Sequence, residues 1–417
     1  STETVLSDAG ITINGATIES AGGPVTVEAR IGGLSVSNAS FTSAGGDITL
    51  KGGTVMPTQY MHGVSINGAS IDAGAGKVLI DGTTQDPYSF GVGIGGAVSV
   101  TAAGGSRIVG KHQPVSFTNS GGGVLLAVES ALTGSGKLEL NGSTNTAGHG
   151  VQVGLATIER SGELVITGSV SDAAGYGVHL DGASLGTAGG AISVTANGGD
   201  VSIGGTTLDT LGGDITIHGG SPAIAYWPGV HIQGGSKLSA GTGRVEIIGQ
   251  SGSGAGVLIE NIPYAAGVSE VVPDISGSKV YVQGTTGVGS GAAGVQLDSV
   301  RIAATDSIHL KALNGDLQIY GSSVTNTGTG LIKLEAAAVL AETPAPPAVA
   351  TVPPPPPPAI APAIGVDGFS TIQSTGGVGA EIHFQSDSVY FGDASINAGA
   401  ARTMFTPSTV SRPISLG

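Results

Sequence analysis

Few residues of this chain sit where they could do chemistry, and their spacing decides what each could do. Gly91-Val92-Gly93-Ile94-Gly95-Gly96 spells the letters of a dinucleotide loop, but a strand-like Ala97-Val98-Ser99-Val100 follows it. The helix whose N-terminus would hold a pyrophosphate is missing, so no nucleotide cofactor is expected. Gly-Gly-Asp recurs at Asp47, Asp200 and Asp214 without the further glycine and nine-residue period of calcium repeats, which places these aspartates in turns. His179, His231 and His309 each lie between two apolar residues of an alternating run and read as solvent-facing. No cysteine accompanies them, so no metal site is assigned. What remains is binding. The scarce aromatics gather where the sequence is interrupted, as Tyr60, Tyr88, Phe90, Tyr226 and Trp227, the last being the single tryptophan. Rings with an apolar face and a polar tip suit a saccharide or a protein partner, although such loops also fold back over an open core edge.

Hydrolysis of a polysaccharide needs two carboxyl groups at one bond, one to give a proton and one to take it up. The polygalacturonases arrange theirs in the order Asn-x-Asp, Asp-Asp, Gly-His-Gly, Arg-Ile-Lys. Here Gly148-His149-Gly150 stands alone, there is no Asp-Asp pair, and Arg301-Ile302 is followed by Ala303. His149 therefore reads as a loop residue with no partner, and no catalytic residue is assigned.

The elements that would carry any site are repeats. The phrase Gly63-Val64-Ser65-Ile66-Asn67-Gly68-Ala69-Ser70-Ile71 returns as Gly177-Val178-His179-Leu180-Asp181-Gly182-Ala183-Ser184-Leu185. Its starts at Gly63, Gly91, Gly150, Gly177, Gly229, Gly256 and Gly294 are 28, 59, 27, 52, 27 and 38 residues apart, the spacing of a solenoid. Residues 10–28 and 33–51 align without a gap at a shift of 23, so the compact coil is near 23 residues. Within a coil the alternation has period two, as in Val25-Thr26-Val27 and Ile215-Thr216-Ile217. Asx-Gly pairs at Asn14, Asn67, Asp81, Asn141, Asp181, Asn197, Asn314 and Asp367 are read as the bends between short strands. Such strands wind into a coil in which each pairs with its equivalent one turn away, about 4.8 Å along the axis. Roughly 14 coils before Leu334 would make a rod of about 65 Å.

Composition agrees. Glycine supplies 75 of 417 residues and aromatics only 4%, which fits a narrow core filled in layers by Val, Ile, Leu and Ala. A net charge of −15 with no basic stripe excludes nucleic acid as a partner, and no apolar run is long enough to enter a membrane. The start at Ser1 reads as a processed or excised terminus.

The sequence divides into a repeat domain at 1–334, an Ala/Pro-rich linker at 335–364 and a C-terminal β segment at 365–417. Residues 335–342 suggest one or two helical turns, and residues 343–362 hold half of the 20 prolines as a stiff polyproline II spacer. Strand character resumes at Glu381, Ile382 and Phe384, then at Val389, Tyr390 and Phe391. Those strands could add to a neighbouring chain, and a first coil without a polar cap would expose its own edge. Aromatic insertions lie at 56–62, 85–90, 221–228 and 261–264, and the first three, each just before a Gly-Val start, should project from one edge of the rod.

Units such as residues 175–205, GYGVHLDGASLGTAGGAISVTANGGDVSIGG, resemble the passenger repeats of bacterial two-partner-secreted exoproteins, the filamentous-haemagglutinin-like adhesins. The resemblance spans about residues 11–334 and more weakly the tail. It implies an all-β, right-handed parallel β-helix, export across the Gram-negative outer membrane to the cell surface, and a role in attachment, aggregation or biofilm matrix. The secretion module of that family, with its Asn-Pro-Asn-type motif, is not recognisable, and no Arg-Gly-Asp occurs. The expectation is a non-enzymatic surface rod binding polysaccharide or a cell surface through Tyr60, Tyr88, Phe90, Tyr226 and Trp227. The alternatives are a filament subunit that self-associates through Glu381, Ile382, Phe384, Val389, Tyr390 and Phe391, and a polysaccharide-cleaving β-helix.

Overall fold

The computed structural model describes residues 10–54, 61–114, 121–171, 175–221, 227–262, 271–338, 363–400, 402–409 and 415–416. All regular elements among them are strands. They form a parallel β-helix of three faces, each strand pairing in parallel with its equivalents in the coils before and after. The first face is a 15-stranded parallel sheet running from Ile11–Asn14 to Ser415–Leu416, so the chain makes 14 turns between its ends. The second and third faces join into one 26-stranded sheet, because Asp274–Thr285 and Arg301–Leu313 each run unbroken around the corner between them.

Period-two alternation decides which side chains are inside. In Leu34–Ser37, Val64–Asn67 and Val92-Gly93-Ile94 the inward residues Leu34, Val36, Val64, Ile66, Val92 and Ile94 are buried, and they stack in register. Each such side chain contributes about 1.5–3 kcal/mol when fully withdrawn from water, an upper estimate because unfolded chains already bury part of it. The 23-residue shift is the true register, with Ile11 on Leu34, Thr17 on Ser40 and Val25 on Ile48.

Two kinds of glycine hold this shape. One left-handed residue recurs at the corner from first to second face: Gly15, Gly68 and Gly182 at φ 64°, 61° and 61°, with Asn38 and Leu155 at 49° and 45°. Asn14, Asn67, Asp181 and Asp367 precede such glycines, as the Asx-Gly reading expects. Asp81-Gly82 and Asn141-Gly142 do not bend. They lie inside Val78–Thr84 and Leu138–Thr144 on the third face. There Gly52, Gly82, Gly110, Gly142 and Gly168 form an inward column. A Cβ on Gly52, Gly82, Gly110 or Gly142 would lie 1.8–2.0 Å from the carbonyl oxygen of Gly63, Gly91, Gly123 or Gly150. Two backbones touch at this point, so the glycine is required by close approach and not by a turn.

Insertions open mainly where the third face passes to the first. The residues flanking 55–60, 115–120, 172–174, 222–226 and 339–362 all occupy that corner, while 263–270 departs between first and second faces. The insertions at 56–62, 85–90 and 221–228 thus leave and re-enter the coil at one edge, as expected. These loops lengthen the coils, so Leu317–Tyr320 is only the twelfth first-face strand and Leu334 falls in the twelfth coil, not beyond a fourteenth.

The C-terminal part differs from its sequence reading. Glu335, Ala336 and Ala337 do not begin a helix. They continue the strand Leu331–Ala337, paired with Lys311, Ala312 and Leu313, and tertiary pairing overrides alanine's helical preference. Leu317 then pairs with Ile364 and Leu331 with Glu381, so residues 363–409 extend the same stack. The strand Glu381–Gln385 is bonded on one side to Leu331–Ala337 and on the other to Arg402–Thr406. Ser388–Phe391 is likewise held between Ala363–Asp367 and Ser415–Leu416. The assembly reading is corrected accordingly: Glu381–Gln385 is paired along its whole length on both sides, and Ser388–Phe391 is paired on its second side at Ser388 and Val389. Ile382, Phe384 and Val389 are core residues, Glu381 is paired with Arg402 at 2.6 Å, and only Tyr390 stands well exposed. Phe384 stacks on Phe405 at 5.0 Å and meets Phe391 edge-on at 5.3 Å, so the last coils replace aliphatic layers with aromatic ones.

The coil from Leu317 to Ile364 is 47 residues long, and without residues 339–362 it would have the 23 of the compact coils. Its two ends are anchored at one place, by the Asn314 N–H donating to the Ala337 carbonyl and the Ala363 N–H donating to Asp316. Excising 339–362 is therefore expected to leave the β-sheet circular dichroism and the cooperative thermal melt intact. A loss of either would show that the two parts are not one stack.

A candidate ligand-binding face

The outer surface of the first face, beside the loop corner, carries the densest group of rings. His149 opens the strand His149–Gly154, Tyr176 opens Tyr176–Asp181, and His179 is the next outward residue of the latter. His149 stacks on Tyr176 with centroids 5.6 Å apart, and His179 lies 5.1 Å from both. Trp227 meets Tyr176 edge-on at 6.2 Å, remains 48% exposed, and is fixed through its carbonyl, which accepts from the Ser251 hydroxyl.

A register shift places Asp200 beneath this group. Tyr176 pairs with Asp200 while Val178 pairs with Val201, so one extra residue bulges from the tyrosine strand. Asp200 is not the turn residue its Gly-Gly-Asp context suggests. It begins the strand Asp200–Gly204 and is 4% exposed. Burial pushes its carboxyl up to about 7. Tyr176 is raised by burial and then by Asp200. His149 is lowered to about 4 by burial and then by the neighbouring His179, and His179 is lowered by burial against a smaller opposing pull from Asp181. Four buried polar atoms of this patch have no hydrogen-bond partner: His149 Nδ1, His179 Nδ1, Asp181 Oδ1 and Asp200 Oδ1. Unsatisfied polar atoms at this density are costly and mark a place where something else can bind.

Of the ring residues read from the loops, Tyr60 and Tyr226 lie outside the described residues. Tyr88 is half exposed, its N–H donating to Asp86. Phe90 turns inward at 6% exposure, 6.1 Å from His62, whose Nδ1 accepts the Phe90 N–H, so it closes the corner instead of lining a surface. Of the described ones, only Trp227 joins the cluster. His149 is not a loop residue without neighbours: it opens a strand and packs against Tyr176 and His179, and Tyr176 is the ring that touches all the others. The missed signal was in the sequence: a ring immediately precedes Gly-Val at His62, Phe90 and Tyr176, and His149 does the same.

The other outward histidines are paired, not free. His231 Nε2 meets Glu260 at 2.7 Å, and His218 and His309 meet Glu246 and Glu335 at 3.1 Å. Glu335 also receives Lys333 at 2.7 Å and lies 3.6 Å from Lys311, so this one carboxylate is shared by two ammonium groups and an imidazole on the third face. Among the described residues no three His, Asp or Glu side chains converge as a metal site. No family model, curated protein or solved structure matches this chain.

Proposed function

We propose that the chain is a non-enzymatic β-helical rod of a bacterial surface adhesin or matrix protein, exported to the cell exterior, which presents the His149–Tyr176–His179–Trp227 face to a polysaccharide or cell-surface ligand. The observation that carries this reading is the contact of four rings on an outward sheet surface, beside the corner where the loops emerge and above unpartnered polar atoms. The likeness of the repeats to exoprotein passengers supports the location and the adhesive role. A rigid scaffold holding a binding surface at a loop-bearing edge is a common division of labour.

The test is attachment of the purified chain to bacterial or host cells and to immobilised polysaccharides, with Tyr176→Ala and Trp227→Ala variants alongside. Each ring lost should weaken binding about tenfold or more, as expected of central aromatic contacts. Unchanged attachment of the double variant, with its melting temperature preserved, would sink the assignment of this face.

A further inference from the structure

The rings of the His149 face stand on an unpaired acid, and the surface around them holds no strong base. Asp200 lies between Tyr176 in the coil before and the chain that carries Trp227 and Val230 in the coil after. It is 4% exposed, and because its neighbour Val201 points into the core, its own side chain is on the outer side. Its Oδ1 has no hydrogen-bond partner, and one coil back Asp181 keeps a buried Oδ1 in the same condition. The six first-face strands from His149–Gly154 to Val295–Asp298 contain Asp181, Asp200, Glu260 and Asp298 but neither lysine nor arginine. Glu260 is met by His231 at 2.7 Å and Asp298 accepts from the Ser299 hydroxyl. Among the described residues no ion pair reaches Asp181 or Asp200, while Arg244, Lys279, Lys311 and Lys333 are placed on the third face.

Rings over such an acid suit one kind of group. The faces of tyrosine and tryptophan carry negative potential and attract an organic cation. Tyr176 and Trp227 meet at 62°, so their faces are set at an angle to each other, and Trp227 is half exposed. His149 and His179 are both held below the ordinary imidazole value by burial, so near neutral pH they add ring faces without a repelling charge. Burial keeps Asp200 protonated up to about 7, for want of a positive partner.

We propose that this face binds a polysaccharide through ammonium groups, an amino-sugar polymer with free amines, one ammonium resting against Tyr176 and Trp227 over the Asp200 carboxylate. The inference rests on the reading of this face as the ligand-binding surface and adds the chemical class. Occupation gives the acid the counter-charge it lacks, and Asp200 then releases its proton to solvent. Further ammonium groups of the same polymer meet Asp181 and Asp298 in other coils, at about 4.8 Å of axis per coil. A neutral sugar brings no such counter-charge, and uronic or sulfated sugars are repelled by these acids.

Calorimetric titration of the full chain just below neutral pH, with hexaglucosamine and with its N-acetylated counterpart, tests the proposal. The free amine should bind at least about tenfold more tightly than the acetylated oligomer of equal length, and added salt should narrow the gap. Trp227→Ala and Asp200→Asn should each weaken the amine about tenfold. The aspartate variant is the sharper of the two, because removing a buried acid is expected to leave the fold at least as stable. Glu159→Gln removes an equal charge from the outer side of the second face and should leave binding unchanged. Equal affinity for the two oligomers would overturn the ammonium assignment while leaving the face a sugar-binding surface. An effect of Glu159→Gln as large as that of Asp200→Asn would reduce the binding to attraction by net charge and overturn it as well. A chain that takes neither oligomer yet attaches to cells through Tyr176 and Trp227 would refute this inference and spare the proposed function.

Discussion

Replacing Gly142 with valine is expected to break the rod in its middle. The position lies in the third-face glycine column, where a Cβ would sit 1.8 Å from the Gly150 carbonyl oxygen and 2.8 Å from Val151 Cγ2. Neither can retreat easily. The carbonyl belongs to the next stretch of the coil, and Val151 is a fully buried core residue. Overpacking a well-packed core costs about 1–3 kcal/mol and more when backbone must move, so a loss at or above the top of that range is expected. In a stack of coils each layer touches only its neighbours, so a faulty layer uncouples the parts on either side. Chemical denaturation should change from one transition to two, or shift markedly to lower denaturant. Gly142→Ala is expected to fall between, because Ala196, Ala312 and Ala336 show that other coils of this column accommodate one methyl. An unchanged midpoint for the valine variant would mean that the corner is looser than its geometry implies.

The second large effect concerns Asp200. Its carboxyl is raised by burial from 3.8 to about 7. Between those values the folded protein keeps a proton that the unfolded chain releases, so stability falls as pH rises through the window and levels off above it. At about 1.36 kcal/mol per unit the loss is roughly 4 kcal/mol. Asp200→Asn cannot ionise and should therefore melt at a higher temperature than the parent at pH 8, with little or no gain at pH 4. His149 has the opposite sign. Its value falls from 6.5 to about 4, so between these the unfolded chain holds the extra proton and stability rises with pH. The two slopes oppose each other in the parent. Removing Asp200's should uncover the histidine's, giving a variant whose stability climbs from pH 4 to 6.5. Thermal melts across that range decide it, and a variant no more stable than the parent at pH 8 would refute the buried-acid account.

Much of the fold could be read from residues alone, because the alternation of Val, Ile and Leu and the gapless 23-residue shift are local facts. The loop edge was legible for the same reason. Asp81-Gly82 and Asn141-Gly142 were misread because Asx-Gly looks like a bend wherever it occurs, whereas here the glycine answers to a carbonyl of another strand. Residues 381–391 looked detached since 24 intervening residues conceal a register that only pairing between Leu331 and Glu381 reveals. At the site, Trp227 could be singled out by rarity. His149, Tyr176 and Asp200 could not, because they come together through coil stacking and a bulge, although the ring before each Gly-Val was visible. Phe90 misled in the other direction: an aromatic residue in a loop gives no sign of which way it will point.

The direction of the hydrogen bonds has a mechanical consequence. Bonds between coils lie along the rod axis, so a pull on its two ends loads the interfaces between coils in series, while the three faces of one interface share the load in parallel. Such a body does not stretch evenly. It holds until one interface fails and then pays out the chain of a single coil. The coil from Val124 to Val151 has 27 residues, which would release roughly 90 Å of extended chain from a layer only about 4.8 Å thick. Under tension the molecule behaves as a stiff strut with a long, stepwise reserve of length, absorbing work at each step while the remaining coils keep their shape.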